Sequence, residues 1–150
     1  MESLPKLVAD NKGTLIYNGR NKVWIFNHDD IKYVVKKFHS LGFWKGIIYT
    51  FFRENKARRA FENGQRLLKN GIKTPEPIAL IEEKKYGLYN ELYYVTGYID
   101  WLPIRKPLIE DDLFNLQMTL DYAHFLADLH QKGIIHKDLN NTNVLYHLDG

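Results

Sequence analysis

Alternating apolar and polar positions predict a β-sheet in the N-terminal part of the chain. Three runs, 14–18, 22–26 and 31–38, alternate in this way and are separated by polar turns, as antiparallel strands joined by hairpins do. Two later runs, 78–83 and 91–99, show the same pattern and are joined through a short polar segment. The sequence therefore predicts five strands.

A different periodicity, with apolar residues three and four apart, predicts a helix over residues 41–53. We expect its aromatic stripe to be core. The stripe consists of Trp44, Ile47, Ile48, Phe51 and Phe52. Alternatively, the stripe rests on a membrane surface or holds an amphiphilic anionic substrate, because a basic cluster follows it directly, at Arg53, Lys56, Arg58 and Arg59.

Two further helices are predicted from the same spacing. One covers residues 54–70 and stops at Gly71, and its apolar stripe is Ala57, Ala60, Phe61, Gly64, Leu67 and Leu68. The other begins at Glu110, and we expect it to bury its stripe in a complete lobe. That stripe is Leu113, Leu116, Leu120, Ala123 and Ala127.

A proline-containing linker at 100–107 separates the predicted sheet from the last helix. The break predicts two lobes, 1–99 and 100–150. The expected fold class is α+β, with an antiparallel sheet and helices in the first lobe and the beginning of a helical second lobe.

Composition narrows the possible functions. With 45% hydrophobic residues, the 150-residue chain has enough apolar material for a packed core. The net charge of +3 suits anionic ligands such as phosphates but does not by itself argue for nucleic acid, and we expect no nucleic-acid partner. Without cysteine, thiol catalysis and disulfides are excluded. No apolar run has the length of a signal peptide core or a membrane span, so the expected location is the cytoplasm.

The segment 133–146 carries the most specific pattern, H-x-D-L-x-x-x-N, with its fixed positions at His136, Asp138, Leu139 and Asn143. In phosphoryl transfer, an Asp at this position orients the attacking hydroxyl, and the Asn binds magnesium. The order of helix, loop and short strand around the pattern fits this interpretation. The alternative is a polar turn, because Asn and Asp readily form Asx-turns.

Two upstream residues have the types and order needed to hold the phosphates. Alternation in the third strand puts Lys36 and Lys37 on opposite faces, and the match to V-A-I-K selects Lys36 as the phosphate ligand. Glu62, on the next helix, is the candidate ion-pair partner of Lys36. Alternatively, all three side chains are simply solvated.

Two backbone segments are further candidates for nucleotide binding. The turn between the first two strands contains Gly19, which permits close approach to phosphates, followed by Arg20, which could hold phosphate electrostatically. A plain hairpin turn is the alternative. The adenine-binding hinge is predicted at Gly97 to Ile99, where exposed backbone groups of Gly97 and Ile99 would pair with the base.

With these residues in order, the chain resembles the protein-kinase-like fold, and most closely the lipopolysaccharide core sugar kinases of the Kdo and heptose kinase group. The segments that carry the resemblance include "YVVKKF", "NGIKTPEPIALIE", "YYVTGYI" and "HKDLNNTNVLY". It implies ATP and Mg²⁺ as cofactors and transfer of the γ-phosphate to a sugar hydroxyl of a lipid-linked precursor at the cytoplasmic side of the inner membrane. By this resemblance Lys36 contacts the α/β-phosphates, Glu62 holds Lys36, Asp138 is the base and Asn143 is a metal ligand.

The chain departs from kinase patterns at two positions of the catalytic-loop motif, 137 and 140. Lys137 replaces the usual arginine beside the catalytic Asp, so dependence on a phosphorylated activation loop is not expected. Asn140 stands where Ser/Thr kinases have lysine, and position 137 is not the glycine of the antibiotic phosphotransferases. The second metal-binding Asp is expected beyond Gly150, because Asp149 has the context of a hairpin turn. We therefore expect residues 1–150 alone to be inactive and to expose the apolar face of the last helix.

Two other hypotheses remain. One is a truncated or degenerate kinase that binds nucleotide or lipid without catalysis. The other is a basic module for membrane surfaces or nucleic acid, which rests on the aromatic stripe and basic cluster alone. The sequence determines neither the acceptor sugar nor the oligomeric state.

Overall fold

A five-stranded antiparallel sheet forms the centre of the first of two units, residues 1–98 and 99–150, into which the chain divides. The computed structural model describes residues 3–104, 116–135 and 144–147. Its strands, in the spatial order β1-β2-β3-β5-β4, confirm the five predicted ones. They are β1 (Thr14–Asn18), β2 (Lys22–His28), β3 (Ile31–Lys37), β4 (Pro77–Lys85) and β5 (Leu88–Gly97).

Two tight turns with left-handed backbone set the hairpin registers. Asp29 and Asp30, between β2 and β3, have φ of 49° and 62°, and Tyr86 and Gly87, between β4 and β5, have φ of 53° and 80°. Positive φ at both central residues gives the turn a twist that matches that of the flanking strands. The β2–β3 pair keeps one register along its length, whereas the β4–β5 pair shifts between Glu83 and Lys84 and between Pro77 and Ala79.

One face of the sheet, which we call the α1 face, is covered by helix α1 (Leu4–Ala9). The strand residues of this face alternate with those of the other face, as the sequence pattern predicts. Leu4 and Leu7 of α1 pack against the cluster of buried residues, which contains Val8, Trp24, Phe26, Val35, Tyr93 and Val95. This cluster is the larger of the two cores described here.

The opposite face, which we call the α3 face, meets helix α3 (Lys56–Lys69), which follows helix α2 (Phe43–Phe51). Ala57 of α3 is buried with Phe38 and Leu92. Gly64 allows close packing, since a Cβ there would lie 2.7 Å from both Pro77 Cγ and Tyr94 Oη. The predicted stripe of α3 is confirmed as the packed side, except that Leu68 is 41% exposed.

The second unit contains helix α4 (Leu116–Gln131) and a small antiparallel pair, β6 (Leu102–Pro103) with β7 (Leu145–Tyr146). Tyr146 Oη donates to Asp121 of α4 at 3.0 Å, and this hydrogen bond raises the pKa of Tyr146. The pair and the helix are thus joined by at least one polar contact.

Helix α4 buries a different stripe from the one predicted. Met118 and Leu129 are buried, whereas the described members of the predicted stripe, Leu116, Leu120, Ala123 and Ala127, are exposed. The helix has apolar residues on more than one side, so the 3–4 spacing fits both stripes.

Candidate functional site

The two lysines at the end of β3 lie on opposite faces of the sheet, as alternation predicts. Lys37 lies on the α1 face, where its Nζ is 2.7 Å from Glu91 Oε1 and 5.4 Å from the centre of the Tyr93 ring. Lys36 lies on the α3 face, opposite Tyr94 in the register of β3 and β5, with its Nζ 5.4 Å from the Phe38 ring centre. Lys36 therefore shares a face with the helix that carries Glu62, and its phosphate role stays a prediction.

Glu62 lies on the solvent side of α3. It is exposed, and it is two residues from both Ala60 and Gly64, which pack toward the sheet. Two residues correspond to a rotation of about 200° around a helix, so Glu62 points away from the packed side. The ion pair of Glu62 with Lys36 stays a prediction, and it requires α3 to turn about its axis.

A buried polar network holds the start of α3 on β4. Asn55 caps the helix: it is 1% exposed, and its Oδ1 accepts from the backbone N–H of Arg58 at 2.9 Å. Its Nδ2 donates to Glu82 Oε1. Arg58 donates to both carboxylate oxygens of Glu82, at 3.2 and 2.6 Å. Glu82 thus connects the cap and the first turn of α3 to the sheet.

The network keeps its carboxylate ionised. Burial raises the pKa of Glu82, but hydrogen bonds from Arg58 and Asn55 outweigh it, so the pKa is below its ordinary value. The hydrogen bond to Glu82 in turn raises the pKa of Arg58. Arg58 therefore has a structural role at the start of α3. The alternative that the basic cluster containing it faces a substrate stays a prediction.

Sequence reasoning missed this network for an identifiable reason. Asn55 stands directly before the helical pattern, and an Asn at that position is a recognisable N-cap signal. Glu82 carries no such signal, because it is one of several charged residues in its strand and lies 27 residues from Asn55.

Gly19 lies in the exposed turn between β1 and β2. Its N–H donates to Asn21 O at 3.1 Å, and the Tyr17 phenol packs so closely against it that a Cβ would overlap the ring. This contact by itself accounts for a glycine at position 19, because any larger residue would collide with the Tyr17 ring. Contact of its backbone with phosphate stays a prediction.

The predicted hinge begins where β5 ends. The N–H of Gly97 donates to Glu76 O at 2.9 Å, and that of Tyr98 donates to Lys32 O at 3.2 Å. These two donors are therefore used within the first unit, so Gly97 has only its carbonyl to offer a base. Binding of adenine by Gly97 and Ile99 stays a prediction.

The catalytic-loop candidates His136, Asp138 and Asn143 lie outside the described residues. The elements on both sides of them match the prediction. Helix α4 is followed by Gly133, at φ 67°, with Ile134 N–H donating to Leu129 O at 2.9 Å. This is a left-handed helix end of the kind that glycine favours, and β7 begins at Leu145.

Helix α2 turns its aromatic stripe to solvent, so the prediction that this stripe is core was wrong. Its exposed large residues are Phe43 (67%), Trp44 (76%), Ile48 (47%) and Phe51 (69%), followed by Phe52 (81%) after the helix. Of the predicted stripe, Ile47 alone is half-buried.

The part of the chain that the structure describes contains no helix long and apolar enough to cross a membrane.

The aromatic stripe faces solvent because the other side of α2 packs closely against β5. Gly46 is buried, and a Cβ there would lie 2.9 Å from the carbonyl oxygen of Tyr89. Thr50 Oγ1 donates to Gly46 O at 2.7 Å and accepts from Tyr89 N–H at 3.1 Å. The small and polar side of α2 therefore contacts β5, and the large apolar side chains have to face outward.

The fold is that of protein kinases. The MAP kinase LmaMPK10 from Leishmania major matches with a TM-score of 0.56 and 15% identity, over 97% of this chain and 46% of that one. The kinase domain of maize SIRK1 bound to AMP-PNP matches with a TM-score of 0.52 and 19% identity, over 99% of this chain and 50% of that one. At these identities the similarity establishes the fold: a kinase-like antiparallel N-lobe followed by the start of a helical lobe.

Residues 15–150 match the lipopolysaccharide kinase (Kdo/WaaP) family, and the chain belongs to that family. It is also 22% identical, over 155 aligned residues, to a protein of Dictyostelium discoideum named as a probable serine/threonine-protein kinase. The match covers 93% of this chain and 26% of that protein. The chain thus spans about a quarter of its curated relative and about half of the solved kinases. The family match and the relatives therefore show that the chain is part of a kinase family, and phosphate transfer by this protein is a proposal.

Proposed function

We propose that the protein transfers the γ-phosphate of ATP to a sugar hydroxyl of a lipopolysaccharide core precursor. The observation that carries this proposal is the family match over residues 15–150, which includes the H-x-D-L-x-x-x-N segment. The position of Lys36 on the α3 face supports it, because that face carries the helix from which the family recruits an acidic partner.

The nucleotide fits the α3 face of the sheet. Val23 lies opposite Lys36 in the register of β2 and β3, and Val34 lies two residues before it, so both belong to the same face. Both are half-buried and provide an apolar surface for an adenine or ribose. Lys36 then supplies the positive charge for the α- and β-phosphates.

The remaining roles follow from the catalytic-loop motif. Asp138 orients the acceptor hydroxyl and takes its proton, and Asn143 holds Mg²⁺. The metal, when bound, neutralises charge that develops on the β- and γ-phosphate oxygens. Glu62 pairs with Lys36 in the catalytic state, after a rotation of α3 that brings its carboxylate to the sheet.

The acceptor in this proposal is lipid-linked and lies at a membrane surface, where α2 makes the contact. Trp44 and Phe51 lie on one exposed side of α2, with basic residues beside and after them. Exposed basic residues in this region are Lys45, Arg53 and Lys56. Aromatic side chains flanked by cations are typical of helices that lie in the headgroup region of anionic bilayers. A cytoplasmic protein could approach the inner membrane by this helix.

A degenerate kinase that binds nucleotide or lipid without catalysis is the second candidate. It is favoured by one observation, the solvent-side position of Glu62, because a kinase without the Lys–Glu pair positions phosphates less well. Binding and turnover separate the two hypotheses: both bind ATP, and only the enzyme transfers phosphate.

The test of nucleotide binding compares two lysines of the same strand. ATP with Mg²⁺ should raise the melting temperature of the full-length protein, and at about a hundred times the dissociation constant it adds ~2.7 kcal/mol to stability. Lys36→Ala should remove most of this shift. Lys32→Ala, an exposed position on the same strand, is the matched control. A folded protein whose melting curve is unaltered by millimolar ATP would contradict the proposal.

A further inference from the structure

A cavity of about 320 Å³ lies on the α1 face of the sheet, away from Lys36. It is bounded by the end of α1, the β1–β2 turn and the residues that follow β3. The side chains that matter for its chemistry are those of Arg20, Lys22, Trp24, Lys37 and His39. None of the described residues that line it is acidic, so its lining is basic.

The cations of this cavity are only partly neutralised. Lys22 and Lys37 are directly opposite each other in the register of β2 and β3, and like charges in opposed positions destabilise a sheet. Lys37 has Glu91 at 2.7 Å. The ion pairs recorded among described residues include none for Arg20 or Lys22, which are exposed at the rim. An anion bound between them would relieve this repulsion.

A residue of the lining, Trp24, carries a buried hydrogen-bond donor. Trp24 is 3% exposed, and its indole N–H is buried and has no hydrogen-bond partner among described residues. The indole can only donate, and a buried donor without an acceptor costs free energy. The nitrogen itself is buried, so an anion oxygen could accept from it only if the lining of the cavity shifts. This observation is independent of the arrangement of charges.

We propose that this cavity is a second anion site, which binds a phosphate-bearing small molecule or headgroup on the side of the sheet opposite the nucleotide. Two exposed cations, Arg20 and Lys22, provide contacts for the oxygens of a mono- or diphosphate. The volume is at the lower end of the range for ligand pockets, which suits a compact group. Strand residues of this site and of the one proposed for ATP, such as Lys37 and Lys36, point to opposite faces. The rim of the cavity nevertheless includes Gly19 and Arg20 of the β1–β2 turn, which are also candidates for contact with the phosphates of ATP.

The test uses the indole N–H of Trp24 as a reporter. In the full-length protein labelled with ¹⁵N-tryptophan, the Trp24 cross-peak is assigned by its loss in Trp24→Phe. Titration with pyrophosphate at constant ionic strength, without nucleotide or Mg²⁺, should shift this peak saturably. The double substitution Arg20→Gln and Lys22→Gln should weaken binding at least about tenfold. The control Lys36→Gln should leave it unchanged.

The outcomes distinguish the ligand sources and the two sites. A saturable shift with pyrophosphate assigns a free phosphate compound. If vesicles containing phosphatidic acid shift the Trp24 peak and pyrophosphate does not, the ligand is a lipid headgroup. No shift with either ligand overturns the proposal. So does binding that is lost in Lys36→Gln but kept in the Arg20 and Lys22 double variant, since the anion would then occupy the α3 face.

Discussion

Replacing Glu82 by Gln tests whether the polar network positions α3. Glu82 accepts one hydrogen bond from Asn55, two from Arg58 and a longer one, at 3.5 Å, from Tyr89 Oη. Its side chain is 15% exposed and that of Arg58 is 42% exposed. A Gln keeps the shape but loses the charge, and it turns an N–H₂ group toward a donor. At least one hydrogen bond of the network must therefore break.

The expected loss of stability is about 2 kcal/mol. A hydrogen bond to a charged group contributes about 1.5–3 kcal/mol, and the solvent exposure of Arg58 reduces its share. Asn55 raises the cost, because it is 1% exposed and a buried donor without an acceptor is expensive. Urea unfolding at pH 7, followed by circular dichroism, measures the difference, and hydrogen exchange of the Arg58 amide reports whether the helix start opens locally.

The pH dependence has a definite sign. The folded-state pKa of Glu82 is lowered, so its contribution to stability is present above the unfolded pKa of about 4.3. It is lost as the pH falls through the lower folded value. The variant lacks this carboxylate, so the stability gap between wild type and Glu82→Gln should narrow below about pH 4.

The matched control is Glu83→Gln, the neighbouring residue on the other face of β4. It should cost no more than about 0.5 kcal/mol. If the two substitutions are equally mild, and their pH profiles coincide, the network does not hold α3 and the reasoning is wrong.

Three further predictions concern α2, α3 and the catalytic loop. Trp44→Ser with Phe51→Ser should change stability by less than about 1 kcal/mol and reduce binding to anionic vesicles, whereas a loss of about 3 kcal/mol or more would restore the core interpretation. Gly64→Ala should lower the free energy of unfolding in urea by about 1–3 kcal/mol. The control is Gly42→Ala, whose Cβ would meet nothing within 4 Å, and an equal loss of stability in both variants would contradict the close packing at Gly64. Asp138→Asn in a longer form of the protein should abolish phosphate transfer and keep the ATP-induced thermal shift, and retained transfer would remove Asp138 from its role.

The strands could be predicted because their signal is local. Alternation with a period of two, bounded by turn residues such as Asp29, Asp30 and Gly87, determines both the strands and the side of each residue. The placement of Lys36 and Lys37 on opposite faces followed from this rule alone. The same rule assigned no partners, so the contact of Lys37 with Glu91 was not foreseen.

The orientation of α2 could not be predicted from periodicity. A helical stripe shows that one side is apolar, but not which side the rest of the protein contacts. Here the deciding residue is Gly46, whose missing side chain lets the helix approach the backbone at Tyr89. The pattern of large residues contains no information on that contact, and the core assignment failed for this reason.

The position of Glu62 connects the fold to the proposed chemistry. The network at Asn55 and Glu82 fixes the first turn of α3 on the sheet, while the predicted Glu62–Lys36 pair needs the following turns to rotate. A helix held at one end can rotate only by bending or by breaking its cap. Weakening the cap should therefore make the pair easier to form. If Glu82→Gln raises ATP affinity as it lowers stability, the network opposes the catalytic position of α3; if both fall together, the network supports it.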